Sequence, residues 1–344
     1  MKAGFRKTAF RDRLLAWYEA NARDLPWRES RDPYRVWVSE IMLQQTRVAA
    51  VIEHYHKFLR RFPTVQKLAA AREGSVLAAW SGLGYYRRAR TLHAAAKVVA
   101  RERGGEFPET AAEWRTLPGV GRYTAAAIAS IALGEAVAVV DGNVERVLQR
   151  ISEKRMSGEE LWEAAEALLA RERPGDFNQA MMELGATVCT PVAPACLTCP
   201  VMQLCATRGE MAAAERATRQ QKREIHYALH QRNGEVLLVR RARDASLMAG
   251  MWELPEAHPT LPGMDGKQKL LAGAPEGRSE KTVPETEQPL FTLRHSITVT
   301  DYSVRVWNGN TEAGAGEWIS ARRLPKLALT GLARKVLRKA GLLS

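Results

Sequence analysis

Leu117-Pro118-Gly119-Val120-Gly121, followed at once by the helical run Tyr123 to Leu133, decides the fold of the amino-terminal half. A Pro-Gly-x-Gly turn before a helix exposes backbone N–H groups beside the positive end of the helix dipole. Such a loop suits a phosphate. The same pattern also serves as a plain helix-turn-helix without a ligand. On either side, Val36 to Phe58, Ser75 to Tyr86, Leu92 to Arg101, Val144 to Ile151 and Glu159 to Leu169 space apolar residues three and four apart. That period predicts an all-α domain over residues 1–208.

The pattern changes further along. Residues 209–223 are polar and read as a linker, and after His226 the period drops to two: Tyr227 and Leu229, then Val236 to Val239. Phe291 to Val299 alternates, Tyr302 to Trp307 resumes on the opposite parity, and a bulge or turn near Thr300 and Asp301 would explain the change. His258 to Pro289 is rich in Pro, Gly and charge and reads as part helix, part loop, while Leu327 to Leu343 predicts a short basic helix. An α+β domain is therefore expected over 224–344. A length of 344 residues accommodates both domains.

Lys and Arg number 51 against 38 Asp and Glu, a net charge of +13 that favours a polyanionic partner. A hydrophobic content of 46% excludes a mainly disordered chain. Met1 to Arg28 offers no hydrophobic segment of signal-peptide length, and the longest apolar run, Tyr123 to Gly134, is too short to span a bilayer. A soluble, cytoplasmic protein with no membrane partner is expected.

Three features carry chemistry. Asp141 follows the apolar stretch Ala136 to Val140 and opens the helix Val144 to Ile151, a position that suits a plain N-cap as well as a catalytic carboxylate. Glu40 lies within Val38-Ser39-Glu40-Ile41-Met42-Leu43-Gln44-Gln45-Thr46; a Glu on an amphipathic helix is ordinarily solvated, but here the polar residues form a narrow stripe of their own. All four cysteines fall in one loop, Cys189, Cys196, Cys199 and Cys205, with intervals of six, two and five residues. Zinc sites favour two close pairs, and only one is present; the intervals also differ from both ferredoxin patterns.

The hairpin, the Asp twenty residues beyond it and the cysteine intervals together resemble the helix-hairpin-helix DNA glycosylases that carry a [4Fe–4S] cluster. The Glu40 stretch, Arg23-Asp24-Leu25-Pro26-Trp27-Arg28 and Phe177 to Ala186 are similar to the MutY branch of that family. The resemblance implies that Cys189, Cys196, Cys199 and Cys205 hold the cluster. It implies Glu40 as the acid that protonates adenine N7 and Asp141 as the carboxylate facing the sugar, with Tyr123 and Asn143 orienting them. Arg28, Trp27, Leu43 and Gln179 would line the adenine pocket, Gln44 and Gln45 would fill the vacated duplex space, Tyr85 would wedge beside the mispair, and Gly119 and Gly121 would meet the DNA backbone. For Gly82 to Arg90, a helix start with a core Tyr and a solvated basic face is the alternative. Lyase relatives carry a Lys in the first turn after the hairpin; Tyr123 stands there, so no Schiff-base strand cleavage is expected.

Glu235 to Arg241 and Gly250-Met251-Trp252-Glu253-Leu254-Pro255-Glu256 resemble the Nudix-like carboxy-terminal domain of that branch. No Glu-dense metal helix follows, so recognition without hydrolysis is expected. The family reads 8-oxoguanine with a Phe-Ser-His triplet; aligned on His295, this chain has Leu293-Arg294-His295, which puts strong preference over guanine in doubt. Ser296 or Thr298 is a substitute hydroxyl in another register, and a plain strand start with exposed Arg and His is the alternative. The expected partner is double-stranded DNA with an adenine mispair, bound by a monomer on the nucleoid. Arg47, Arg87, Arg88, Arg90 and Arg122, with Arg216, Arg219, Lys222 and Arg223 in the linker, are the cations expected along the duplex. A thymine glycosylase for G·T mispairs and a non-catalytic cluster-bearing DNA-binding protein are the competing readings.

Overall fold

The computed structural model describes residues 6–211, 221–245, 248–257, 288–297, 300–309 and 316–343. The chain forms two compact units, Met1–Glu215 and Arg216–Ser344. The first is helical: α1 (Lys7–Asn21), α2 (Pro33–Leu43), α3 (Val48–Arg61), α4 (Val65–Ala69), α5 (Glu73–Ala79), α6 (Arg87–Glu102), α7 (Ala111–Trp114), α8 (Arg122–Ala132), α9 (Gly142–Ser152), α10 (Glu159–Leu168) and α11 (Pro174–Thr187).

Short polar side chains set several helix starts. Asp32 accepts from the Tyr34 N–H at 2.8 Å in front of Pro33, and Thr64 and Thr110 accept from Lys67 and Glu113 in the same manner. One expectation fails: the apolar period from Val36 to Phe58 is not a single helix. The chain leaves α2 at Leu43 and restarts at Val48, with Gln45 in the left-handed region at φ 55°. Residues of α1, α9, α10 and α11, among them Phe10, Leu14, Val147, Leu161 and Phe177, make one core. Edge-on aromatic pairs, Trp37 with Trp114 and Phe58 with Trp80, fill another part of the interior. α8 packs on both α2 and α11, and its alanines, Ala125 to Ala127 and Ala129, are buried. Gly185 on α11 lets the start of α9 approach closely, since a Cβ there would lie 2.6 Å from that of Asn143.

The second unit contains β1 (Gln221–Leu229), β2 (Gln231–Arg232), β3 (Glu235–Arg240), β4 (Trp252–Glu253), β5 (Phe291–Ile297), β6 (Thr300–Asn308), β7 (Glu317–Ser320) and α12 (Gly331–Lys339). One sheet runs β1-β6-β5; in the other β3 joins β2, β4 and β7. β1 and β6 are parallel, and β5 and β6 antiparallel with Ile297 opposite Thr300. The parity change thus marks the passage from β5 to its antiparallel neighbour β6. Asn233 and Gly234, both at positive φ, close the β2–β3 hairpin. α12 covers the sheets through Leu332, Val336 and Leu337. Lys222 and Arg223, read above as linker, belong to β1. Arg216, Arg219, Thr298 and residues 258–287 lie outside the described residues. No helix among the described residues is long and apolar enough to cross a membrane.

Candidate active site

α2 and α8 bring Glu40 and Tyr123 together. The Tyr123 hydroxyl donates to Glu40 Oε2 at 2.8 Å and also lies 3.5 Å from Met182 Sδ on α11. Glu40 is 5% exposed. Burial pushes its carboxyl up to about 7, against the lowering effect of the Tyr123 hydrogen bond and of Arg28, with the Asp141 charge raising it further. Tyr123 is held well above its ordinary range by burial and by the charges of Glu40 and Asp141.

Asp141 caps α9. Oδ1 accepts from the N–H groups of Asn143 (2.9 Å) and Val144 (2.7 Å), and Oδ2 accepts from Asn143 Nδ2 at 2.9 Å. The carboxylate therefore sits at the positive end of the α9 dipole. Asn143 is fixed in turn by Arg146, which donates to its Oδ1 at 2.8 Å and to the carbonyl of Cys189 at 2.7 Å. Of the two readings of Asp141, the cap is present, and Asp141 is also close enough to Glu40 and Tyr123 to bias both.

A second buried carboxylate escaped the sequence reading. Glu183 on α11, its side chain 1% exposed, accepts two bonds from the Arg23 guanidinium (2.6 and 2.9 Å) and one from Arg28 (2.8 Å). Arg28 also donates to the Arg23 carbonyl at 2.9 Å and stacks over Tyr18. Trp27 is buried with its ring edge-on to Tyr55. The only sequence signal for Glu183 was a lone acid among Met181, Met182 and Leu184.

The expected duplex-facing residues separate into groups. Leu43 and Gln179 are half-buried, on α2 and α11. Gln44 donates to Thr124 Oγ1 at 3.1 Å, while Gln45 is exposed. Tyr85 is 43% exposed with φ 47°, and Tyr86 is buried, so the tandem tyrosines divide into one outward and one core ring. Gly119 takes φ 76° in the hairpin, where a Cβ would lie 2.4 Å from that of Thr91; Gly121 is exposed at the N-cap of α8. Arg47 and Arg87 are exposed. Arg88 is a correction to the charge reading: it is 9% exposed and bonded to the protein's own backbone. Arg122 pairs with Glu159 at 2.5 Å and stacks on Trp162, and Arg90 pairs with Glu73.

His295 belongs to the second unit. It is half-buried on β5 near the start of α12, where a Cβ on Gly331 would lie 3.8 Å from its Nε2. Burial and the nearby Lys335 lower its pKa. Leu293, on the same face, belongs to the core. Arg294 and Ser296 project from the other face, and Ser296 donates to Asp301 at 2.5 Å.

The cysteine loop follows α11. All four thiols are free and partly exposed, and Cys189 and Cys205 raise the pKa of Cys196 and Cys199, burial being the larger cause in each. Short 3-10 turns, Cys196–Thr198 and Met202–Leu204, wind the loop. The buried Arg150 holds its entry, donating to Cys189 Sγ (3.3 Å), the Thr190 carbonyl (2.7 Å) and the Pro191 carbonyl (3.0 Å). Four free thiols on one wound loop are the donor set that a four-thiolate cluster takes, while among the described residues no three of them are grouped closely enough to hold a single metal ion.

Residues 38–170 match the HhH-GPD superfamily of base excision DNA repair proteins, and residues 226–339 match a NUDIX domain. A solved structure of a thermostable thymine-DNA glycosylase is 32% identical, with TM-score 0.56, over 59% of this chain and 96% of that one. The chain belongs to the HhH-GPD superfamily. Among curated members, human adenine DNA glycosylase is 52% identical over 216 residues, which is 58% of this chain and 40% of the relative. The Arabidopsis thaliana adenine DNA glycosylase is 41% identical over 293 residues, 70% of this chain and 46% of the relative. The chain thus spans less than half the length of these two relatives.

Proposed function

We propose that the chain is a monofunctional adenine DNA glycosylase, releasing adenine mispaired with 8-oxoguanine or guanine in double-stranded DNA. The observation that carries this reading is Glu40: a carboxyl buried to a pKa of about 7, bonded to Tyr123 and within electrostatic reach of Asp141. Two carboxyl groups in unlike surroundings suit an acid and an anion in one reaction. Glu40 in its protonated form gives its proton to adenine N7, and the bond from N9 to C1′ breaks with its electrons passing to the base. The sugar carries the positive charge that remains. Asp141 stabilises that cation as the carboxylate, and water completes hydrolysis. Asn143 holds Asp141 in place, and Trp27, Arg28, Leu43 and Gln179 form the pocket for the extruded base. Tyr123 has no amine with which to form a Schiff base, so the reaction stops at the abasic site.

Cys189, Cys196, Cys199 and Cys205 would hold a [4Fe–4S] cluster, which would order the loop beside the DNA backbone. Gln44, Gln45 and Tyr85 enter the duplex; Gly119 and Gly121 offer backbone N–H groups to a phosphate. The second unit reads the base opposite adenine from β5, with His295 placed near that surface.

The 32% identity with a thymine-DNA glycosylase supports one alternative, action on G·T mispairs. Single-turnover incubation with duplexes carrying 8-oxoguanine·A, G·A or G·T, followed by alkali, separates the two. Cleavage confined to G·T would refute adenine release. Binding without cleavage of any duplex would indicate a non-catalytic protein.

A further inference from the structure

The break between α2 and α3 and the turn before α6 are joined by one side chain. Arg88 Nη1 donates to the carbonyls of Ile41 (2.9 Å), Met42 (3.0 Å) and Gln44. Its Nη2 donates to Thr46 Oγ1 (3.0 Å) and to the carbonyls of Leu83 and Gly84 (3.2 Å each). None of these six acceptors is a carboxylate. The guanidinium is instead solvated by the Thr46 hydroxyl and by carbonyl dipoles at the carboxy-terminal end of α2, the negative end of that helix, and in the facing turn. The rings of Trp80 and Tyr85 lie 5.6 and 5.4 Å from its carbon.

Both segments in this grip are strained, and both strained side chains are exposed. Gln45 has φ 55° and Tyr85 has φ 47°, a region that side chains other than glycine rarely adopt; Gly82 and Gly84 beside Tyr85 are also at positive φ. A left-handed residue at the surface relaxes readily unless the backbone around it is held. Arg88 holds both segments from one buried point.

We propose that Arg88 is a positioning residue that couples the Gln44–Gln45 break to the Tyr85 turn, so that the two sides of the duplex wedge are set in register with each other and with the helix that carries Glu40. The proposal rests on the reading of Gln44, Gln45 and Tyr85 as residues that enter the duplex. It separates base extrusion from chemistry, because Arg88 touches neither Glu40 nor Asp141.

The test uses the full chain with Arg88→Lys, which keeps the charge but replaces the planar fork with a single point of donors. With 2-aminopurine in place of the mispaired adenine opposite guanine, and Glu40→Gln in both proteins to block chemistry, the fluorescence gain on binding should fall by at least about half in Arg88→Lys. In single turnover with Glu40 intact, release from G·A should fall on the order of 10-fold to 100-fold, as expected for losing several charge-assisted hydrogen bonds. A duplex with adenine opposite an abasic analogue needs little unstacking and should lose less than about 3-fold. The pH midpoint of the rate should not move. Equal loss on the two duplexes, or undiminished fluorescence, overturns the proposal. Should Arg88→Lys fail to fold, Thr46→Val removes one acceptor and must show the same pattern at smaller amplitude, or the proposal fails. A wild-type chain that releases no adenine refutes the parent function, and the fluorescence comparison still decides the role of Arg88.

Discussion

Tyr123 donates its hydroxyl hydrogen to Glu40 Oε2 at 2.8 Å, so a neighbouring side chain acts directly on the carboxyl proposed as the acid. The bond favours the charged form of Glu40 and works against the burial that raises its pKa to about 7. Adenine release should therefore fall as pH rises through about 7, where Glu40 gives up its proton. Tyr123→Phe removes a contact that favours the carboxylate, so the falling limb should move to higher pH. Glu40→Gln should abolish that limb and lower the single-turnover rate by about 10²-fold to 10⁴-fold. A limb unchanged by either substitution would show that Glu40 is not the acid.

The same pKa has a consequence for stability. A folded-state value raised from 4.5 to about 7 means that the folded chain holds the Glu40 proton more tightly than the unfolded chain does. The contribution is fully present below pH 4.5 and is lost as pH rises through 7. Its size is on the order of 3 kcal/mol. Glu40→Gln, which cannot ionise, should show a shallower decline in melting temperature than wild type between pH 5 and about pH 8.5. Parallel declines would refute the assignment.

Asp141 is both a cap and a candidate catalytic group, and the amide separates the roles. Asn at position 141 retains an oxygen for the N–H groups of Asn143 and Val144, so Asp141→Asn should change stability by less than about 1 kcal/mol. It brings no negative charge to the sugar, so base release should drop by at least about 10³-fold. Thermal melts and single-turnover rates on one preparation check both halves. A large loss of stability with proportionate loss of rate would leave Asp141 only as a cap.

What the sequence disclosed was whatever depends on near neighbours along the chain. The hairpin at Gly119, the cap at Asp141 and the cysteine loop are each set by residues within a few positions. The break after Leu43 was hidden because Leu43 and Val51, eight residues apart, keep a helical interval across it. Arg88, more than forty residues away, donates to the carbonyls on its α2 side. The Glu183 clamp joins residues 155 and 160 positions apart, beyond the reach of any local pattern. At Leu293 alignment on His295 showed a ring replaced by an aliphatic side chain, and strand alternation packs that side chain into the core.

Glu183 predicts an acid-sensitive joint. Burial alone would raise its pKa, but hydrogen bonds from Arg23 and Arg28 outweigh it and the carboxyl is held below the ordinary value. The stability it contributes is present above the unfolded value of 4.5 and is lost as pH falls through the lowered one. Glu183→Gln should cost about 2 to 3 kcal/mol at pH 7, less than a fully buried pair because both arginines keep some solvent. The gap between mutant and wild-type melting temperatures should narrow on acidification. A gap that persists unchanged at low pH would mean that the loss is one of packing.

β5 gives the last prediction, through two neighbouring positions on opposite faces. Leu293 is in the core with Val304 and Val306, so Leu293→Ala should lower stability by about 2 to 4 kcal/mol and leave the ratio of 8-oxoguanine·A to G·A rates unchanged. Arg294 projects from the opposite face, where its side chain is exposed. Arg294→Ala should leave stability within about 0.5 kcal/mol. If β5 meets the opposite base with its outward face, that substitution shifts the rate ratio, and a steeper salt dependence in wild type than in Arg294→Ala identifies a phosphate contact instead. A ratio sensitive to Leu293→Ala and indifferent to Arg294→Ala would mean that the core position, and not the exposed one, takes part in recognition.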